Sequence, residues 1–381
     1  QILKITQAML AHGQKTVLIT RLSKEAAEFL TPQLPLTYHE LGKVGIAGTM
    51  PEPTGRGTIV IATGGTIAGS ASSSTQLTDY KAGDLTAQQL IDAVPSISTI
   101  AKVSAEQIAN TASGNLTFED WLKLAKRANE LLATDDCDGI VVTHGTDTLE
   151  ETAYFLNLVV KSDKPVVLVG AMRPATAISA DGPLNLLNAV GVAGSEEARG
   201  KGVLVVMNGQ INAAREVTKT NTLAVETFKT PDFGMLGYVI DYKPVFYRAP
   251  VRKHTKDTEF DVSKLTTLPR VDIAYQTLGG DVNMHKASVS SGAEGLIEAG
   301  SGCGSLSNVS RAILTEASKK GLIVVRSSRT GSGMVTPSSK DAEPGFLTAD
   351  NLNPQKARVL LTLALTVTRD RNEIQRMFAT Y

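Results

Sequence analysis

The chain has 381 residues, 42% of them hydrophobic, enough to bury more than one core, so two α/β domains and a smaller appendage are expected. Its 38 basic and 38 acidic side chains cancel, which removes the positive field needed to bind nucleic acid or an anionic membrane; no apolar run approaches the roughly 18 residues of a membrane-spanning helix. Two cysteines, Cys137 and Cys303, cannot build a disulfide framework or a thiolate metal site, and the five histidines lack the spacing of a helical ligand pair, so no metal site is expected.

Residues 1–57 stand apart, with a helical pattern over 2–11, a strand over 16–20, a second helix over 23–30, extended segments over 36–46 and a Pro/Gly-rich linker over 51–57. From Thr58 onward strands and helices alternate: strand 58–63, helices 87–94 and 118–132, strand 139–143, helix 149–160, strand 165–169, helix 185–193 and strand 202–207. That alternation predicts an α/β domain over 58–247, built on a mainly parallel sheet covered on both faces. Residues 248–269 are crowded with charge and weakly periodic, as expected of a solvated interdomain connection. A second α/β domain, 270–381, follows, with strand 271–275, helix 293–299, strand 321–326 and a long helix over 354–368. The N-terminus lacks the basic, apolar, small-residue layout of a secretory signal, so a soluble chain with any export signal already removed is expected.

Chemistry concentrates in two blocks, TIVIATGGTIAG at 58–69 and VVTHGTDT at 141–148, each ending a β-branched run in a glycine-flanked threonine. Buried parallel strands read as continuous Val/Ile runs, and ligands bind outside their carboxyl ends, so Thr66 and Thr146 should face one cleft. Asp147 follows Thr146 directly; Lys219 lies in REVTKTNT and Tyr80 in a Ser/Thr-rich loop. These residue types fit acyl transfer, because a hydroxyl is a weak nucleophile until a base takes its proton, and a lysine oriented by a carboxylate can polarise it. Each also has a plainer use: such threonines cap helices or form turns, Lys219 can be a solvated surface lysine and Tyr80 an exposed loop aromatic. GGTIAG lacks the Lys-Ser/Thr ending of a P-loop and the spacing of a dinucleotide fold, although a helix start there can bind an anion. His144 is either a base for Thr146 or a hydrogen-bonded packing residue.

Six blocks carry a resemblance: ATGGTIAG at 62–69, THGTDTLEETAYFL at 143–156, KPVVLVGAMRP at 164–174, ADGPLNLLNAV at 180–190, VTKTNT at 217–222 and NPQKARVLL at 353–361. Over about residues 58–381 the chain resembles the bacterial type II L-asparaginases and their glutaminase-asparaginase relatives. The resemblance implies an amidohydrolase that converts L-asparagine to L-aspartate and ammonia through an acyl-enzyme ester, without a cofactor. It further implies Thr66 as nucleophile, Tyr80 in a mobile loop closing over the site, Thr146, Asp147 and Lys219 as a second triad, Ser113 of TASGN on the substrate carboxylate, and Asp147 on its ammonium. A homotetramer, a dimer of intimate dimers, is implied as well, with Glu343 reaching a neighbouring subunit's site.

The chain also departs from that pattern. Gly114 stands where relatives commonly carry Gln or Glu beside the serine, so a side-chain acceptor for the substrate ammonium is missing. YQTLGGD at 275–281 has glycines where some relatives place an asparagine, the loop after Glu343 is short, and Ser162 and Cys137 do not reproduce the cysteine pair of some periplasmic members. Residues 1–57 resemble instead the N-terminal part of the carboxylase-hydrolase that makes the nickel-pincer cofactor precursor, and are read as a fused segment without activity of its own. The body's resemblance points to the periplasm, whereas a genuine absence of a signal points to the cytoplasm. The competing reading of the whole is a catalytically weak or inactive protein that binds an acidic amino acid.

Overall fold

The structure is a computed structural model that describes residues 57–381; the elements and the role expected for residues 1–56 lie outside the described residues. Val- and Ile-rich runs form the central strands β1 (Gly57–Gly64), β3 (Gly139–Thr143), β4 (Val166–Val169) and β5 (Val203–Met207), and every residue of the last three is buried. β2 (Lys102–Thr111) pairs in parallel on the other side of β1 and forms the edge, with no fully buried residue. A meander of β6 (Gln210–Ala213), β9 (Gly237–Ile240) and β10 (Lys243–Phe246) extends the sheet antiparallel beyond β5, and β7 (Thr218–Lys219) pairs separately with β8 (Phe228–Lys229).

Helices cover both faces. α1 (Ala87–Asp92) and α4 (Gly182–Ala193) pack Leu90, Leu186 and Val190 on one side. On the other lie α2 (Phe118–Leu132), started by a reciprocal Thr117–Asp120 capping box, and α3 (Leu149–Val159). Trp121 of α2 stacks on Phe155 of α3 with ring centroids 4.7 Å apart, worth about 0.5–1.5 kcal/mol beyond the area buried. α3 is buried at every position except Glu151, because the second domain covers the face turned away from the sheet.

That second domain is a parallel sheet ordered β11 (Val271–Tyr275), β12 (Gly295–Gly300), β13 (Ile323–Ser328), β14 (Leu347–Thr348), with helices α5 (Asn283–Ser290), α6 (Asn308–Lys319), α7 (Pro354–Ala364) and α8 (Arg371–Thr380). Leu360 and Leu363 of α7 join Phe155 and Leu158 of α3 in one continuous core. No helix among the described residues is long and apolar enough to cross a membrane.

Two expectations fail. In place of the helix expected over 293–299, Gly295–Gly300 form strand β12: the segment is too short and too fully buried for a 3.6-residue period to distinguish the two, and it pairs with strands on both sides. The segment 248–269 is not merely solvated, since Phe260, Val262 and Leu268 are buried and Phe260 packs on Tyr381 with centroids 5.2 Å apart. It straps the end of α3, where Thr258 Oγ1 donates to the Leu158 carbonyl at 2.5 Å and Lys161 Nζ to the Thr258 carbonyl at 2.9 Å.

Candidate active site

The strand order 2-1-3-4-5 reverses between β1 and β3, which opens a crevice at their carboxyl ends. Thr66 follows β1 and Thr146 follows β3, and the backbones there touch. A Cβ on Gly65 (φ +85°) would lie 2.3 Å from Gly145 Cα, one on Gly145 would lie 2.8 Å from Ser113 Cβ and Oγ, and one on Gly64 (φ +102°) would lie 2.4 Å from Thr111 N. Only glycine permits these approaches, so the spacing G-G-T and H-G-T is what locks three loops together. Thr63 Oγ1 donates to the Thr143 carbonyl at 2.9 Å and closes the strand ends.

Both threonines are nearly enclosed, at 7% exposure for Thr66 and 5% for Thr146. Thr66 Oγ1 and Tyr80 Oη are 2.6 Å apart. Tyr80 sits at the base of an exposed loop whose ends pair through Ser70 and Lys81, and its ring rests against Gly69, where a Cβ would meet Tyr80 Cδ2 at 2.9 Å. At Thr146 the partners are charged: Lys219 Nζ donates to Thr146 Oγ1 at 3.0 Å and to Asp147 Oδ1 at 2.6 Å. Asp147 is 79% exposed, and its second oxygen makes no hydrogen bond among the described residues. Ser113 is buried, its Oγ accepts from the Thr148 N–H at 3.4 Å, and the hydroxyl donates no hydrogen bond among the described residues.

Residues 58–252 match the Asparaginase, N-terminal family and residues 270–378 the Glutaminase/Asparaginase C-terminal domain. The chain belongs to the asparaginase family. It is 57% identical to L-asparaginase 2 of Bacillus subtilis over 323 residues, covering 84% of this chain and 86% of that protein. It is 47% identical to the glutaminase-asparaginase of Pseudomonas fluorescens biotype A over 326 residues, 85% of this chain and 90% of that one. The crystal structure of a probable cytoplasmic L-asparaginase from Campylobacter jejuni superposes with a TM-score of 0.84 at 52% identity, covering 86% of this chain and all of that one. The two-domain α/β architecture is therefore that of the asparaginases.

Within this asparaginase fold, His144 takes the packing role of the two alternatives. It is fully buried, its Nδ1 donates to the Gly145 carbonyl at 2.7 Å, and its Nε2 accepts from Thr152 Oγ1 at 2.9 Å, which in turn accepts from Trp121 Nε1 at 2.9 Å. Burial pushes its pKa down to about 4, so it stays neutral near pH 7. Gly114 lies beside Ser113 with nothing within 4 Å of where a Cβ would stand. Glu343 occupies an exposed turn before β14 and makes no hydrogen bond to the other candidate residues within this chain. Cys137 and Cys303 are free thiols, and no cluster of three or more metal-ligating side chains occurs among the described residues.

Sequence reasoning missed the support of Lys219. Its backbone N–H donates to Glu150 Oε2 at 3.2 Å, and the fully buried Lys356 of α7 donates to the carbonyls of Arg215, at 3.0 Å, and Val217. The available signals were two adjacent acidic residues, Glu150 and Glu151, inside the otherwise apolar run LEETAYFL and a lysine within NPQKARVLL.

Proposed function

We propose that this asparaginase hydrolyses the side-chain amide of L-asparagine through an ester on Thr66, with L-glutamine as a second candidate substrate. What carries the reading is the contact of Gly65 with Gly145, which sets the Thr66–Tyr80 pair beside the Thr146–Lys219–Asp147 group. A substrate bearing a carboxylate and an ammonium needs a hydroxyl donor and a carboxylate acceptor, and Ser113 and Asp147 supply one of each.

In this reading Thr66 Oγ1 attacks the amide carbon and its proton leaves along the bond to Tyr80 toward the amide nitrogen, which departs as ammonia. The carbonyl oxygen, negative at that moment, is met by backbone N–H groups of the neighbouring loops, each typically worth about 3 kcal/mol. Water then adds to the ester, with Lys219 polarising Thr146 and Asp147 holding Lys219; aspartate leaves and the Thr66 hydroxyl is restored. No step draws on a cofactor.

Residues 58–247 act here as the domain of both triads, 270–381 as the second domain, and 1–57 as an extension outside the reaction. The assembly we propose is a homotetramer of intimate dimers. Its support is the set of exposed large apolar side chains, among them Tyr247 at 72% and Val251 at 94%, together with an open groove of about 580 Å³ lined by Lys219, Tyr275, Arg329 and Gln355, beside which a partner's Glu343 would be received. An ammonia-release assay with L-asparagine, L-glutamine and D-asparagine at matched concentrations tests the function. Binding of L-aspartate without ammonia release from any of the three overturns it.

A further inference from the structure

We propose that Glu150, Gln355 and Lys356 form a positioning clamp through which the second domain fixes Lys219 against Thr146 and Asp147. The inference rests on the amidohydrolase reading of Lys219. β7 is two residues long and gives Lys219 a single cross-strand partner, Phe228, which is too little to hold an ammonium to two targets at 3.0 and 2.6 Å. The remaining restraint comes from outside the strand.

Glu150 is 5% exposed and lies in the first turn of α3, directly beyond the loop of Thr146 and Asp147. One of its carboxylate oxygens accepts from the Lys219 backbone N–H at 3.2 Å and the other from Gln355 Nε2. Lys356, the next residue of α7, is 2% exposed and donates to the carbonyls of Arg215 and Val217. Asn353 caps the same helix, accepting from the Lys356 N–H at 3.1 Å, and its Nδ2 reaches Thr218 Oγ1 at 3.4 Å. The backbone leading to Lys219 is thereby held at residues 215, 217, 218 and 219 by groups on two helices from different domains.

Burying a carboxylate and an ammonium is costly, and packing alone would favour apolar residues of similar volume at both positions. Burial presses the Lys356 pKa down to about 8, against the opposing pull of Glu150, so the lysine still donates as a cation near neutrality. The two charges retain a use as hydrogen-bonding arms to a segment that a helix face cannot otherwise grip. Displacing a reacting group by about 1 Å can cost 10²-fold in rate.

The test is steady-state ammonia release from L-asparagine by the full chain carrying Gln355→Leu, Glu150→Ala, Glu150→Gln or Lys356→Met, with thermal midpoints measured alongside. Gln355 is half-buried and on one helix turn, so its variant folds even if the buried ones do not. We expect kcat to fall roughly 10-fold for Gln355→Leu and roughly 100-fold for Glu150→Ala and Lys356→Met, with KM held within about twofold, the mark of lost transition-state alignment rather than lost binding. Glu150→Gln should recover most of the rate, because its amide oxygen still accepts from Lys219 while Gln355 turns its own amide. Unchanged kcat in Gln355→Leu and Glu150→Ala, or a rise in KM alone, overturns the clamp whatever happens to the midpoints. A parent chain that releases no ammonia sinks the amidohydrolase reading and the clamp with it, whereas an active parent with unaltered variants sinks the clamp alone.

Discussion

Thr66 and Thr146 lie just beyond the carboxyl ends of adjacent parallel strands and are buried alike, yet their surroundings differ in kind. Thr66 meets a phenol that hangs on an exposed loop, whereas Thr146 meets the ammonium of Lys219, which also pairs with Asp147 and whose backbone N–H is held by Glu150, itself bonded to Gln355 of the second domain. In the proposed reaction, a hydroxyl whose partner sits on an exposed loop, held to the segment 176–178 by the Ala71 N–H on Thr176 Oγ1 and the Ile178 N–H on the Ser74 carbonyl, each at 2.9 Å, can be uncovered and covered in each cycle. One set in a charged network cannot. In the proposed mechanism this difference is what assigns the covalent step, in which the environment must change, to Thr66 and a fixed electrostatic task to Thr146.

The largest expected effect tests that division directly. Thr66→Val removes the hydroxyl at constant shape and should lower kcat for L-asparagine by on the order of 10⁴-fold or more, with circular dichroism and oligomeric state native. Retained activity, or a far deeper loss in Thr146→Val than in Thr66→Val, would reverse the roles of the two threonines. Next come the partners: Lys219→Met and Tyr80→Phe each remove a group that handles a proton or charge and should cost about 10²–10⁴-fold. If only one of the two is slowed, the acyl and deacylation steps do not need separate partners, and burst kinetics with a chromogenic amide will show which step has stalled.

The parts of this site that a linear reading reaches are those written in local residue order. The Val/Ile runs of β3 and β4 and the glycine-threonine steps after β1 and β3 carry their own spacing, and α2 announces itself by Thr117, Asp120 and a 3.6-residue stripe. β2 escaped because an edge strand buries nothing fully and so shows no apolar run. β12 was misread because GLIEAG contains Glu298, which is wholly buried and paired at 2.8 Å with His285 of α5, a solution that only tertiary contact can provide. Glu150 and Lys356 were legible as oddities, charges inside apolar helices, but their meaning depends on a segment 69 residues away from the first and 139 from the second. Long-range hydrogen bonds leave no periodic trace.

The glycine contacts allow the comparison to be broken mechanically. Gly65→Ala places a methyl 2.3 Å from Gly145 Cα at a positive φ, so both the strain and the overlap act on the seam between the two threonine loops. Overpacking of this kind typically costs about 1–3 kcal/mol, and the backbone conformation adds to it. Denaturant unfolding should show that loss, and kcat should fall even at temperatures where the variant stays folded. A variant that is destabilised but fully active would mean that the two loops need not be in register. On the charged side, burial pushes Glu151 up to about 7 against the opposing pull of Arg358, from an ordinary value of 4.5. Folding therefore favours its protonated form, and that contribution is complete below about pH 4.5 and is lost as pH rises through about 7. The thermal midpoint should decline over that window, and Glu151→Gln should flatten the decline.

The smallest expected effect concerns the substrate's ammonium, which in the proposed mechanism would find an acceptor on one side only. Asp147 offers one free carboxylate oxygen, while the position beside Ser113 offers none, because residue 114 is glycine. Open space surrounds its absent Cβ, and its φ is not in the left-handed region, so a long side chain can be added there without moving the backbone. Gly114→Gln supplies a carbonyl acceptor, and a charge-assisted hydrogen bond of about 1.5–3 kcal/mol should lower KM for L-asparagine by roughly 10- to 100-fold. Since the new contact is to a part of the substrate that does not react, it binds ground state and transition state alike, and kcat should stay within about twofold. An unchanged KM would mean that Asp147 alone satisfies the ammonium, and a raised kcat would mean that the ammonium contact also orients the amide toward Thr66.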